Sequence, residues 1–255
     1  MALGLLYRVY ERRLLSDLDR DRLPRHIGVV MDGHRRHARA EGLASYADAY
    51  RAGMGRFEDF LGWSAELEIP AVTAWVLSKE NLTRPPEVLE PYFDVLIELF
   101  GRLPELCERY DMGLRFIGSL DLLPHRLVVA AKSAEEAQAE GSHHLNIAMG
   151  YGGRQEIVDA VKDLVAELAA QGVAATEIPE RIDAESLAGH MYSSDVPDPD
   201  LVIRTSGESR LSGFLLWQSA YAEFVFTDVN WPAFRRVDFL RALRDFTGRD
   251  RRFGR

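Results

Sequence analysis

Five short apolar runs in this 255-residue chain are each followed by residues of the kind that bind anions. Asp32, Gly33 and Arg36 come after His26–Met31, and Ser78, Glu80, Asn81 and Arg84 after Val72–Leu77. Gly118 and Ser119 follow Leu114–Ile117, and Gly150, Gly152, Gly153 and Arg154 follow Leu145–Met149. The run Leu201–Arg204 leads into Ser206, Gly207, Arg210 and Ser212. Glycine lets backbone N–H groups approach a ligand. Helix N-termini attract negative charge, and arginine forks take phosphate oxygens in pairs. Together these groups suit a polyanion, most simply phosphate. One acid, Asp32, sits among them at a strand end. A carboxylate beside phosphates is repulsive unless a cation lies between, which implies Mg2+. Alone, Asp32 reads as a helix N-cap. With four Arg-bearing loops converging on it, the metal reading is preferred.

These residues can meet only if the chain between them folds suitably. The apolar runs, with a sixth at Phe224–Thr227, read as strands. Helical periodicity fills Phe57–Glu66, Tyr92–Tyr110, Pro124–Glu140 and Arg154–Gln171. Strands alternating with helices predict a mostly parallel six-stranded sheet covered on both faces, in one α/β domain. In open parallel sheets ligands bind beyond the carboxyl ends of the strands, so the five loops are expected on one edge. The turn-rich Ser193–Pro199 leads straight into a strand and is not read as a linker.

Composition narrows the function classes. The net charge of -9 gives no sign of a general nucleic-acid binder. Basic residues are nearly all Arg, a bias that genomic base composition explains as well as phosphate binding does. A single cysteine, Cys107, excludes an internal disulfide framework and a Cys-based zinc site, and fits a cytoplasmic protein. Residues 1–23 read as an amphipathic N-terminal helix, with Leu5, Leu6, Val9, Leu14 and Leu15 at roughly helical spacing. Packing on its own domain or on a partner is the favoured reading, and peripheral contact with a membrane the functional one. No GxxxxGK[ST] loop is present, and DGHRRH replaces GxGxxG after the first strand, which argues against common nucleotide folds. Gly150–Arg154 (GYGGR) fits phosphate contact and a tight strand-to-helix turn equally. Trp75, Val76, Leu77, Phe93, Leu96 and Phe100 read as core first and ligand wall second.

The segments HIGVVMDGHRRHARAEG, VLSKENLTRP, NIAMGYGGRQEIVDA and DPDLVIRTSGESRLSGFLLWQSAYAEFVFTDVNWPAF resemble the cis-prenyltransferases, the undecaprenyl diphosphate synthase family. The resemblance runs from about Pro24 to the C-terminus, a catalytic domain at 24–255. It is nearest in look to actinobacterial members, including short-chain Z-farnesyl diphosphate synthases. It implies a homodimer with an apolar tunnel. It also implies Mg2+-assisted condensation of an allylic diphosphate with isopentenyl diphosphate, in Z configuration and giving short to medium chains. Under it, Asp32 organises Mg2+ and the allylic diphosphate, and Arg36 holds that diphosphate. Arg204, Arg210 and Ser212 hold isopentenyl diphosphate. Glu223 approaches the metal across the dimer interface, and the Arg252–Gly254 ending lies near the partner's phosphates. Ser78 and Asn81 sit at the bond-forming centre. Gly33, Arg35, His37, Tyr50, Leu82 and Arg84 surround the substrates.

The chain departs from the family pattern at His34, where Asn is usual, at His37, where Trp is common, and at Tyr50, where many members have His. His34 reads as an acid/base group, as a donor replacing the Asn contact, or as a mark of lost function. Two alternatives follow: irregular head-to-middle coupling of allylic diphosphates, as in lavandulyl-type members, and a non-catalytic partner subunit. Val76, where long-chain members often have Ala, leans toward a shorter product.

Overall fold

The computed structural model describes residues 2–249. Six strands form one sheet: β1 (His26–Val30), β2 (Ala71–Ser78), β3 (Met112–Ile117), β4 (His143–Tyr151), β5 (Leu201–Arg204) and β6 (Glu223–Phe226). Their order is β3-β4-β2-β1-β5-β6, and every pairing is parallel. Among the described residues the α-helices are α1 (Ala2–Asp17), α2 (His34–Ala40), α3 (Tyr46–Glu66), α4 (Pro86–Phe100), α5 (Leu103–Arg109), α6 (His125–Ala137), α7 (Gly153–Ala170), α8 (Ala184–Ala188) and α9 (Arg236–Thr247).

Alternation along the strands sorts the core into two layers. Ile27, Val29, Val72, Ala74, Leu145 and Ile147 join a large cluster with Phe57 and Phe60 of α3, Leu96 of α4 and Phe239 of α9. Val30, Trp75, Ala148 and Val202 face the other way, onto Tyr151, Phe214 and Leu215. The period of two in side-chain direction produces this division. Near its end β2 shifts register against β4, between Trp75 and Ser78. Val76 and Leu77 consequently both belong to the large cluster. Such irregularities re-aim side chains, and this one lies beside the site described below.

The expected single helix over Tyr92–Tyr110 is two helices. Gly101 caps α4, and Pro104 sits in the first turn of α5. Proline lacks the N–H that a continued α4 would require there, so the chain restarts. The helix expected at Phe57–Glu66 begins at Tyr46, where the Ser45 side chain accepts from the Asp48 N–H at 3.3 Å. Gly53 and Gly55 weaken the helical signal over that first half.

The N-terminal helix α1 docks on α9. Leu14 is fully buried in the main core. Arg235, at the N-cap of α9, and Arg241 within it lie over the rings of Tyr7 and Tyr10, each 5.1 Å from the ring centre. Packing on its own domain is therefore what α1 does. Among the described residues no helix is long and apolar enough to cross a membrane.

Candidate functional site

Parallel pairing sets Val30 against Arg204 and Val30 against Trp75. β1 and β5 thus end level on the carboxyl edge of the sheet, and β2 runs past them to Ser78. Asp32 leaves β1 two residues later and is fixed on both sides of its peptide. Its N–H donates to Thr205 Oγ1 at 2.9 Å, and that hydroxyl donates to the Asp32 carbonyl at 2.7 Å. The Trp231 N–H donates to the same carbonyl at 2.9 Å. Gly33 then turns the chain at φ +104° into α2. A side chain there would come within 2.8 Å of Ser206 Cβ as well as meeting Asn230, so only glycine fits. Asp32 is not the cap of α2. Gly33 is, with no side-chain hydrogen bond.

Arg204 organises the neighbouring loop. Its side chain is 6% exposed, and it donates to Asp32 Oδ2 at 3.0 Å, to Ser212 Oγ at 2.8 Å and to the Arg210 carbonyl at 2.5 Å. Ser206 and Ser212 hold positive φ, 76° and 52°, in this tight loop. Positive φ is uncommon outside glycine and tends to persist where the surroundings over-determine it. Arg36 of α2 reaches across to the loop, donating to the Ser206 carbonyl at 2.6 Å and also to Glu208. Glu208 accepts from Arg210 as well, so one carboxylate bridges two arginines. Arg36, before Arg210, holds the Glu208 carboxyl below the usual range.

Two cavities adjoin at Asp32. The first, about 320 Å³, is lined by Gly33, His34, Arg35, Arg39, Tyr50 and Tyr92. The second, about 510 Å³, is lined by Trp75, Ser78, Glu80, Arg204, Arg210 and Ser212. Met31, Asp32, Arg36, Val76, Asn81 and Arg84 border both. Ser78 Oγ accepts from the Asn81 N–H at 3.1 Å, which caps the turn that brings Asn81 to the boundary. A further cavity of about 790 Å³ shares Glu80 and Ser212 with the second, and holds Lys79, Gly152 and Arg154. In the GYGGR segment the Gly153 N–H donates to the Gly213 carbonyl at 2.9 Å, and Gly150 turns at φ +56°. Strand-to-helix packing accounts for these two glycines.

His34 is 8% exposed. Burial pushes its pKa down to about 4, against the opposing pull of the Asp32 carboxylate. Burial thus favours the neutral ring in the free protein. Its ring lies 5.7 Å from that of Tyr50, which in turn lies 4.6 Å from that of Tyr92. Tyr92 donates to the Val76 carbonyl at 2.6 Å. Val76, Tyr50 and Tyr92 form the apolar end of the first cavity, and behind them Phe57, Phe93, Leu96 and Phe100 are buried in core.

Three expected residues lie elsewhere. Neither His37 nor Leu82 lines these cavities. His37 is one turn beyond His34 on α2, and Leu82 packs on the main core. Glu223 opens β6 in register with Leu201, at the amino edge of the sheet, and accepts from Arg249 at 2.5 Å. It cannot reach Asp32 within one chain. The Arg252–Gly254 ending lies outside the described residues. Conversely, Thr205, Glu208, Arg39 and Tyr92 belong to the site without having been singled out. Glu208 sits in the quoted RTSGESR run, but its value as an internal counter-ion depends on the Arg36 approach, which no spacing announces.

The donor set suits Mg2+. Asp32 is one-third exposed, one of its oxygens is held by Arg204, and it faces the boundary of both cavities. Among the described residues no three His, Cys, Asp or Glu side chains form a ready cage. Mg2+ commonly takes one or two carboxylates and completes its shell with water and substrate phosphates.

An open parallel sheet with two Arg-lined cavities that share the Asp32 carboxylate defines an α/β protein suited to phosphate-bearing ligands. Comparison with known proteins narrows that class. Residues 30–254 match the family described as "Putative undecaprenyl diphosphate synthase", and the chain belongs to this prenyltransferase family. It is 49% identical to (2Z,6E)-farnesyl diphosphate synthase of Thermobifida fusca, over 98% of this chain and 97% of the relative. It is 46% identical to isoprenyl transferase 1 of Streptomyces avermitilis, over 98% and 96%. The crystal structure of lavandulyl diphosphate synthase from Lavandula x intermedia, in complex with dimethylallyl diphosphate, superposes with a TM-score of 0.85. That match is at 30% identity and covers 92% of this chain and 100% of the other.

Proposed function

We propose that this chain condenses an allylic diphosphate with isopentenyl diphosphate, giving a Z-configured prenyl diphosphate of short to medium length. The observation that carries the reading is the pair of cationic cavities sharing Asp32, Arg36 and Asn81. One cavity ends on apolar Val76, Tyr50 and Tyr92, as a prenyl chain requires. The other is closed by Arg204, Arg210 and Ser212, as a second diphosphate requires. Each buried CH2 contributes ~0.8 kcal/mol, so even a short prenyl tail adds several kcal/mol to binding. A longer chain would extend past Val76 into the layer between α3, α4 and β2, the expected apolar tunnel.

Asp32 and the substrate phosphates would hold Mg2+, which when bound neutralises charge on the departing diphosphate. The protein's own groups do the rest. Arg36, with Arg35 and Arg39 nearby, stabilises the allylic diphosphate as the bond from carbon 1 to oxygen breaks and its electron pair leaves on oxygen. The isopentenyl double bond supplies the pair for the new carbon–carbon bond. The adjacent CH2 then gives up a proton to a diphosphate oxygen and the double bond re-forms, with Asn81 and Ser78 as relay groups. His34 would donate a hydrogen bond at the allylic end. Apolar walls exclude water that would quench the allylic cation.

Assembly as a homodimer completes the proposal. Glu223 would serve the partner's site, consistent with its place at the far edge of the sheet, and the Arg252–Gly254 tail would approach the partner's phosphates. The edge strand β6, with Phe224 and Phe226 stacked and partly exposed, is a surface a second copy could cover. The test incubates purified protein with Mg2+, labelled isopentenyl diphosphate, and dimethylallyl, geranyl or farnesyl diphosphate. Linear Z products establish the reading. Branched products point to head-to-middle coupling, which the likeness to the lavandulyl enzyme favours. Turnover only after a second homologue is added would replace it with the partner-subunit reading.

A further inference from the structure

Glycine weakens helix interiors, yet the 21-residue α3 carries Gly53 and Gly55 close together near its middle. The two differ in their surroundings. Nothing lies within 4 Å of the place a Cβ would take at Gly55. At Gly53 that place is occupied by Nε2 and Cδ2 of His34, closer than any real Cβ contact, and Trp231 Cδ1 would be 3.2 Å away. The helix cannot simply shift aside, because the Gly53 carbonyl accepts from Trp231 Nε1 at 2.8 Å. His34 therefore lies with its Cδ2–Nε2 edge on bare helix backbone. Nε2 is buried there without a hydrogen-bond partner. Buried N–H groups lacking an acceptor are rarer than buried lone pairs lacking a donor, which puts the ring proton on Nδ1. The side chain also lines the cavity that holds Asp32, Arg35 and Arg36. Tyr50, one turn earlier on α3, flanks the ring at 5.7 Å.

We propose that Gly53 is a positioning residue for the allylic half of the site. Its missing side chain lets the His34 imidazole withdraw onto α3, which keeps the 320 Å³ cavity open and turns the Nδ1–H toward the anion. Any Cβ at position 53 drives the imidazole back into the space the substrate needs. The identity of the anion as an allylic diphosphate rests on the proposed function. The packing of His34 on Gly53 does not.

The experiment compares Gly53→Ala, Gly55→Ala, His34→Ala and the double variant His34→Ala/Gly53→Ala. Calorimetry with geranyl diphosphate alone, and separately with isopentenyl diphosphate alone, requires no turnover. Gly53→Ala is expected to weaken geranyl diphosphate binding about tenfold, the scale of an overpacked side chain. Isopentenyl diphosphate binding should stay within about twofold, and Gly55→Ala should leave both unchanged. With His34 already truncated, adding Gly53→Ala should cost less than about twofold. Equal losses in both backgrounds, or no loss in either, overturn the proposal. Should Gly53→Ala fail to fold, a folded double variant supports the steric conflict with His34. An unfolded double variant assigns Gly53 to Trp231 instead and overturns it. Imidazole 15N spectra of the ligand-free protein supply a readout independent of the reaction. The His34 signal should report an Nδ1–H tautomer and move in Gly53→Ala but not in Gly55→Ala. A wild-type protein without prenyl transfer would sink the proposed function while leaving that spectroscopic outcome to decide this one.

Discussion

Replacing Arg204 tests the core of the site in a single change. Its guanidinium, 6% exposed, donates to Asp32, to Ser212 Oγ and to the Arg210 carbonyl. It thereby fixes both the carboxylate and the loop that closes the second cavity. Hydrogen bonds of charged groups are worth ~1.5–3 kcal/mol each. Truncating one partner of a buried pair costs about 3–5 kcal/mol, chiefly through the charge left behind. Asp32 is one-third exposed, so water takes over part of its lost contact, and the lower end of that range applies. Arg204→Ala should then destabilise the fold by about 3 kcal/mol in urea unfolding. Arg204→Lys keeps the charge, but an ammonium on a single stem cannot meet three acceptors spread as a fork, so about half the loss should remain. Both variants should raise KM for isopentenyl diphosphate more than KM for the allylic substrate, because Ser212 and Arg210 line the second cavity and not the first. A stability loss under ~1 kcal/mol together with an unchanged KM would refute the organising role assigned to Arg204.

Other outcomes follow from the same geometry. Chelation with EDTA should abolish turnover and leave the melting temperature unchanged, since Arg204 already holds Asp32 without metal; a fall in melting temperature would show a structural ion instead. Val76→Ala removes wall from both cavities and should lengthen the products, read by chromatography; an unchanged product distribution would remove Val76 from the chain-length determinants. His26 is buried between the Pro197 carbonyl at 2.6 Å and Thr73 Oγ1 at 2.8 Å, and burial lowers its pKa from 6.5 to about 4. The unfolded chain takes up that proton first as pH falls, so stability is full above pH 6.5 and declines toward pH 4. The loss at pH 5 should be about 2 kcal/mol for this group, and His26→Gln should flatten the slope; an identical slope in the variant would contradict it.

The sheet was legible because doubly covered strands are nearly continuous apolar runs, and its edge was legible because Arg, Ser and Gly cluster after them. Asp32, Arg36, Asn81, Arg204, Arg210 and Ser212 could be grouped from that alone. What escaped depends on distance across the fold. Thr205 reads as an ordinary residue at a strand end until its hydroxyl is found pinning the Asp32 peptide. Glu208 reads as a repulsive acid in a phosphate loop until two arginines close on it. The break at Gly101 and Pro104 was written in the sequence, but the periodicity of the flanking helices carried across it. Glu223 could be named from the family pattern, whereas its place at the opposite edge of the sheet is a matter of register.

The carboxylate of Glu208, held between Arg36 and Arg210, gives the resting site its own counter-ion. An incoming anion must therefore displace an internal competitor that is already in place and already well oriented. A ligand bearing one phosphate recovers little by doing so. A diphosphate that met Arg36 and Arg210 together would gain more donors in that exchange than a single phosphate would.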